Sequence, residues 1–323
     1  MTTHRRSAAV GVAFAVAAAV LFSINATVSK IVLQHGLSPV ELVSLRSAGA
    51  AVILMGYTAI TRPAALRVGR RELVFLAVYG ICGIAMVQWL YFVAIARMPV
   101  GVALLLEYTA PLMVALWVRF ARGEQVRSRV WLALALCLFG LALVAQVWEG
   151  LTLDGIGVLA ALGAAAALAT YYLMGEAGLG QRDPVSLMGW IFTFSAILWA
   201  VVKPWWTFPF EVLGDQVDLP GALDGHTVSV GALSAWVVVL GTVAAFGLVL
   251  LAVGRVGAAR VGILGMIEPV GSALVAWWVL SEQLAPVQLV GGAVVLAGVA
   301  LAETARRRTA DAPSAPTPEG VVP

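Results

Sequence analysis

The sequence predicts an all-α polytopic membrane protein, with ten transmembrane helices arranged as two inverted five-helix repeats. Three observations lead there. First, 61% of the 323 residues are hydrophobic and 11% are charged, whereas a soluble domain carries roughly a quarter charged residues. Lipid must be the main solvent, and helices satisfy their own backbone in lipid. Second, ten apolar runs each approach the ~20 residues needed to cross a bilayer. Third, the chain echoes itself without a gap at a fixed offset. Pro111 aligns with Pro269, Ala115 with Ala273, Glu124-Gln125 with Glu282-Gln283, Gly140 with Gly298, and Ala142-Leu143 with Ala300-Leu301; Ala94 meets Ala252 and Arg97 meets Arg255. Matched Pro, Glu-Gln and Gly in a low-complexity chain mark an internal duplication.

The spans fall at 8–32, 39–60, 73–95, 99–119, 129–148, 155–175, 185–203, 232–252, 259–279 and 286–304. This divides the chain into a cytoplasmic N-terminus (1–7), a first repeat (8–148), a second repeat (149–304) and a disordered, Arg- then Pro-rich cytoplasmic tail (305–323). Arg5, Arg6 and the apolar stretch after them have the look of a signal peptide. The stretch is long for a signal, and cleavage would destroy the five-plus-five arrangement, so it is read as the first span.

Orientation follows the Lys and Arg residues. With the N-terminus inside, sixteen of the twenty basic residues fall in cytoplasmic segments. Glu149, Asp154, Glu211, Asp215, Asp218 and Asp224 fall outside. Arg119, Arg122, Arg127 and Arg129 flank Glu124, while the matching segment around Glu282 has no basic residue. Five spans per half turn the second half over, so Glu124 and Glu282 occupy turns on opposite faces. Inverted repeats are the architecture of many secondary transporters, with a site near the midplane. The long external connection, 204–231, holds Trp205, Trp206, Phe208 and Phe210. It reads as an interfacial aromatic belt followed by a polar loop, with a lid over the external mouth as the alternative.

Polar groups inside spans are costly and should face a cavity or one another. Asn25, Arg46, Gln88 and Glu107 each lie about six to eight residues from the external ends of the first four spans, a common depth of roughly 10 Å. Ser23, Ser47, Tyr91 and Tyr108 lie within a turn of that level. Two readings stand open. Arg46 and Glu107 form a structural ion pair between the second and fourth spans, or they line a substrate path, with Arg46 facing a carboxylate or phosphate and Glu107 an ammonium. Lys30 lies nearer the surface and is expected to snorkel. From the cytoplasmic side, Glu268 lies about nine residues deep, Tyr171, Tyr172 and Trp190 are shallower, and Thr242 is near the midplane. Glu268 has no basic partner in its half. It is a candidate proton carrier or, alternatively, a protonated group bonded to a carbonyl freed by Pro269. Pro111 and Pro269 each remove a backbone donor, giving a helix kink beside an acid in both halves.

Other chemistries lack their residues. His4, His35 and His226 lie in termini or loops, no GxxxxGK[ST] loop occurs, and no paired acidic metal motif appears. No cofactor or metal is expected. The basic residues follow topology and form no nucleic-acid patch. Cys82 and Cys137 read as small buried hydrophobes.

SPVELVSLRSAGAAVIL in the second span, EYTAPLMVAL in the fourth and IEPVGSALVAWWVLSEQLAPVQLVGGAVVLAGVAL in the last two are the pieces that carry a family likeness. With the five-plus-five layout, residues 8–304 resemble the drug/metabolite transporter superfamily, EamA type, and most closely its threonine/homoserine exporter branch. The resemblance implies ten helices, a central cavity, and export of small metabolites or amino acids across the inner membrane. The expected partners are a small-molecule substrate and the lipid bilayer. The expected substrate-binding residues are Asn25, Arg46, Gln88, Tyr91, Glu107, Tyr108, Tyr171 and Trp190, with Glu268 for protons. Proton coupling and a homodimer stay open. A lipid-linked or nucleotide-sugar carrier of the same fold and a non-transporting scaffold or enzyme are the alternatives.

Overall fold

The computed structural model describes residues 2–95, 97, 100–147, 154–281 and 284–310. The expected turns at Glu149 and Glu282-Gln283 and the tail beyond Ala310 lie outside the described residues. Among the described residues, nine helices are long and apolar enough to cross a membrane, and a tenth apolar helix is shorter. They are α1 (Ser7–Gln34), α2 (Pro39–Thr61), α3 (Arg70–Ala94), α4 (Ala103–Phe120), the shorter α5 (Ser128–Val144), α6 (Gly155–Leu179), α7 (Pro184–Val202), α8 (Val230–Val256), α9 (Ala258–Val279) and α10 (Pro286–Glu303). The protein is an all-α polytopic membrane protein. Helix α1 begins at Thr2 and α10 continues to Ala310, so 305–310 are helical rather than tail.

Local chemistry sets the helix ends. Ser38 and Glu41 form a capping box on α2, with Pro39 in its first turn; two orphan N–H groups are satisfied reciprocally. Asp183 caps α7 by accepting from the Ser186 N–H, followed by Pro184. The two capping acids then reach the far ends of each other's helices. Glu41 pairs with Lys203 at 2.9 Å and Asp183 with Arg62 at 3.1 Å. Helices α2 and α7 therefore lie antiparallel, each start tied to the other's end.

The remaining pairings follow the same pattern. Helix α1 packs on α8 and α9, while α6 packs on α3 and α4; α5 packs on α10. Small residues let α5 and α10 touch backbone to backbone: a Cβ on Gly140 would stand 2.7 Å from the Gly291 carbonyl oxygen, and one on Gly298 would stand 2.6 Å from the Cys137 sulfur. Cys137 is thus buried in this seam. Cys82 is exposed, contrary to the expectation, because it sits on the outward side of α3.

Four helices depart from regular geometry. Helix α4 is interrupted at Tyr108-Thr109, between segments Val100–Glu107 and Ala110–Phe120. Helix α9 is interrupted at Met266-Ile267, between Ala258–Gly265 and Glu268–Leu280. Pro111 and Pro269 sit in the first turn of each second segment, where a missing N–H costs nothing. They start new segments rather than kink continuous helices. Helices α3 and α8 each contain a π-helical stretch, Tyr79–Ala85 and Val239–Ala244.

The 204–231 connection is folded. A two-stranded antiparallel ribbon, β1 (Gln216–Asp218) with β2 (Thr227–Ser229), sits among short 3-10 turns. Phe208, Val217 and Val230 bury against Ile31, Val32, Leu37 and Leu42 at the α1–α2 turn. Gly221 lies against the Val279 carbonyl at the end of α9. Of the expected aromatic belt, Trp206 is 86% exposed, but Phe208 is core.

Candidate functional site

One cavity of about 540 Å³ opens inside the helix bundle, lined from both halves of the chain. Its size falls in the range of small-molecule sites. It runs from Tyr171, Tyr172 and Pro269 in the interior to Lys30 and Gln34, which are exposed, at one end of the bundle. At the other end α1 closes on α8. The Arg255 guanidinium lies 4.8 Å from the Phe14 ring, and a Cβ on Gly11 would meet Val256 at 2.7 Å. Arg122 pairs with Glu176 at 2.5 Å, Arg182 with Glu72 at 2.5 Å, and Arg260 with Glu303. Glu176 also accepts from the Ala258 N–H at the start of α9.

The four polar residues at common depth do line this cavity: Asn25, Arg46, Gln88 and Glu107, joined by Tyr91, Tyr108, Tyr171 and Glu268. The interruptions explain why the acids are there. Glu107 ends the first segment of α4, and Glu268 begins the second segment of α9, so both broken ends meet the cavity. The Tyr108 hydroxyl donates to Glu268 Oε2 at 2.5 Å, joining the two interruptions. The Ser23 hydroxyl lies 2.8 Å from the Ala19 oxygen and 3.1 Å from the Glu268 backbone oxygen, and its one proton can go to either. Glu107, Glu268 and Arg46 all line the same cavity.

Of the two readings of Arg46 and Glu107, the structure does not show the ion pair. Arg46 Nε donates to Thr242 Oγ1 at 2.9 Å and Nη2 to the Gly241 oxygen at 3.4 Å. The π-helical stretch of α8 brings those acceptors to α2. Arg46 is 6% exposed and Glu107 is 8% exposed. Gln88 Nε2 donates to the Ile84 oxygen at 3.2 Å, while its Oε1 is buried without a partner; Ser272 Oγ, also on the cavity, is in the same state. Unsatisfied buried acceptors call for a ligand or water donor.

Two expected residues have other roles in the structure. Tyr171 reaches the cavity wall, but its hydroxyl donates to the Phe246 oxygen at 3.1 Å and its own oxygen accepts from Tyr79. It is a packed strut between α3, α6 and α8. Trp190 does not line the cavity; its ring stacks on Phe194 on the same helix. Ser47 is likewise committed, to Ser195 across the α2–α7 contact at 2.9 Å. Sequence reasoning left out Ser272 and the π-helical stretches; Ser272 follows Glu268 by one helical turn, which was a usable signal. No residue of the 204–231 segment is among those lining the cavity. Among the described residues, no group of His, Cys, Asp and Glu is arranged to hold a metal ion.

The cavity is lined from both halves of the chain, and a model of the EamA-like transporter family matches residues 9–146 and again 155–304. The chain belongs to the EamA-like transporter family. It is a multi-pass membrane transporter, not an enzyme. The threonine/homoserine exporter RhtA of Escherichia coli K12 is 27% identical over 268 residues, 82% of each chain. An uncharacterized transporter of Archaeoglobus fulgidus is 29% identical over 258 residues, covering 77% of this chain and 83% of that one. A crystal structure with 19% identity superposes with a TM-score of 0.72, covering 93% of this chain and 98% of the other. At that identity the likeness is one of fold.

Proposed function

We propose that this EamA-family transporter exports small zwitterionic metabolites, amino acids foremost, across the inner membrane by alternating access. The observation that carries the reading is a cavity in which a buried cation, Arg46, stands with a buried acid, Glu107, and a half-buried one, Glu268. Intramembrane ionisable groups on a cavity are functional by default. Arg46 complements a carboxylate and Glu107 an ammonium, while Gln88 Oε1 and Ser272 Oγ accept from substrate donors. Glu268, oriented by Tyr108, is the candidate proton carrier. The amino-acid exporters among the chain's relatives support the substrate class.

The two matches to one family model, the paired interruptions and the paired π-helical stretches support two repeats. The charge pattern of the loops supports inverted halves with both termini cytoplasmic. In that orientation the cavity is open outward, and the ion pairs at the opposite end, the terminal end where α1 begins, close it inward. A nucleotide-sugar or lipid-linked substrate fits less well, because Arg46 and Lys30 are the basic residues lining the cavity.

The test is efflux of labelled L-threonine from loaded proteoliposomes under an imposed pH gradient. Saturable efflux that Arg46→Gln and Glu107→Gln each reduce is the expected result. Efflux indifferent to both variants removes these residues from the site, and efflux indifferent to the gradient removes the proton role of Glu268.

A further inference from the structure

We infer that Thr242 is a positioning residue that holds the Arg46 guanidinium in the plane and direction needed to receive a substrate carboxylate, and holds it off the two cavity acids. The inference rests on Arg46 being the carboxylate contact, as proposed above. Thr242 is fully buried and does not line the cavity, so it acts only through another residue.

Its geometry leaves the hydroxyl no freedom. The hydroxyl donates to the Val237 oxygen at 2.8 Å, five residues back, and accepts from Arg46 Nε at 2.9 Å. A hydroxyl in a regular α-helix reaches the carbonyl three or four residues back. The five-residue reach belongs to the π-helical stretch Val239–Ala244, a geometry that recurs at functional sites. Next to it, Gly241 offers its carbonyl oxygen to Arg46 Nη2 at 3.4 Å. Gly241 must be glycine for α1 to approach, since a Cβ there would run into the Asn25 side chain. Asn25, Arg46 and the Gly241-Thr242 pair thus bring α1, α2 and α8 to one point on the cavity.

The consequence follows from guanidinium chemistry. Arg presents five N–H donors in a rigid plane, and carboxylates are received two at a time along one edge. Anchoring Nε and one Nη2 hydrogen on α8 fixes that plane and leaves the remaining N–H groups for the cavity. Without the anchor, the guanidinium is free to turn toward Glu268, which lines the same cavity. A swing toward it would turn a receptive cation into an internal ion pair and mask both partners.

The experiment measures saturable L-threonine transport by the full-length protein in proteoliposomes, alongside binding of L-threonine and of L-threonine amide, which lacks the carboxylate. Removing a hydrogen bond to a charged group is worth roughly tenfold. Thr242→Val is expected to raise KM for L-threonine about tenfold at little change in Vmax, with amide binding unchanged and Thr242→Ser restoring KM to within about twofold. If Thr242→Val does not reach the membrane folded, Thr242→Ala replaces it, with the same expectation. A purely structural role would lower Vmax or protein yield and leave KM alone, and that result overturns the inference. If Arg46→Gln raises KM while Thr242→Val and Thr242→Ala do not, the positioning role falls and the carboxylate site stands. If Arg46→Gln leaves KM unchanged, or the wild-type protein does not bind L-threonine, the carboxylate reading falls and takes this inference with it.

Discussion

Replacing Gly140 by alanine tests the α5–α10 seam on which the bundle closes. The added Cβ would lie 2.7 Å from the Gly291 oxygen and 2.8 Å from the Val295 nitrogen, both backbone atoms, where ordinary contact begins at 3.4 Å. No side chain can rotate away, so the helices must part by about 0.7 Å (3.4 minus 2.7) along that line. A gap of ~0.5–1 Å forfeits a quarter to a half of the dispersion attraction of the atoms it separates. Overpacking of this kind costs about 1–3 kcal/mol. At ~2–4 °C per kcal/mol for a chain of this size, the midpoint should fall by about 2–12 °C. The assay is thermal denaturation in detergent, followed by the remaining monodisperse fraction. The control is Gly56→Ala in α2, where nothing lies within 4 Å of the new Cβ; there the better helix propensity of alanine leaves stability unchanged or raised. Equal stability of the two variants would refute the backbone-contact argument.

Further outcomes follow from single contacts. Trp190→Phe should leave KM for the transported substrate unchanged, since the ring stacks on Phe194 away from the cavity; a changed KM in transport assays would put Trp190 back in the site. Ser38→Ala removes one half of the α2 capping box and should cost ~1 kcal/mol in thermal denaturation, with transport kinetics intact. Glu176→Gln weakens the link from Arg122 to the start of α9. It should increase labelling of a cysteine at Tyr172 by a membrane-impermeant maleimide applied from the terminal end, and unchanged labelling would deny that contact a gating role.

Much of this was legible because depth in a membrane is linear in sequence. Counting residues from the span ends put Asn25, Arg46, Gln88 and Glu107 at one level, and these four line one cavity. Direction around a helix is not linear in sequence when the helix is apolar on every side. Trp190 and Tyr91 were equally plausible on paper, yet only Tyr91 faces the cavity. Partners across the bundle were also hidden. Arg46 reaches Thr242 and Gly241 rather than Glu107 because α8 is locally π-helical, and no residue type in Val239–Ala244 announces that register. Glu268 was expected to stand without a basic partner, but its hydrogen bond from Tyr108 depends on two helix interruptions meeting. The prolines signalled a disturbance at each site without saying that the helix stops and restarts. Cys82 looked buried because apolar surroundings in sequence do not distinguish the bundle interior from its lipid-facing side.

The most direct test of the central claim, that substrate occupies the cavity between the halves, is substrate protection of a single cysteine. With Cys82 and Cys137 replaced, a cysteine at Ala273, on the cavity wall, and one at Asp224, exposed in the 204–231 connection, are labelled with a small soluble maleimide. Saturating L-threonine should slow labelling at position 273 several-fold and leave position 224 unaffected. Undiminished labelling at 273, in protein that is transporting L-threonine, would contradict the account.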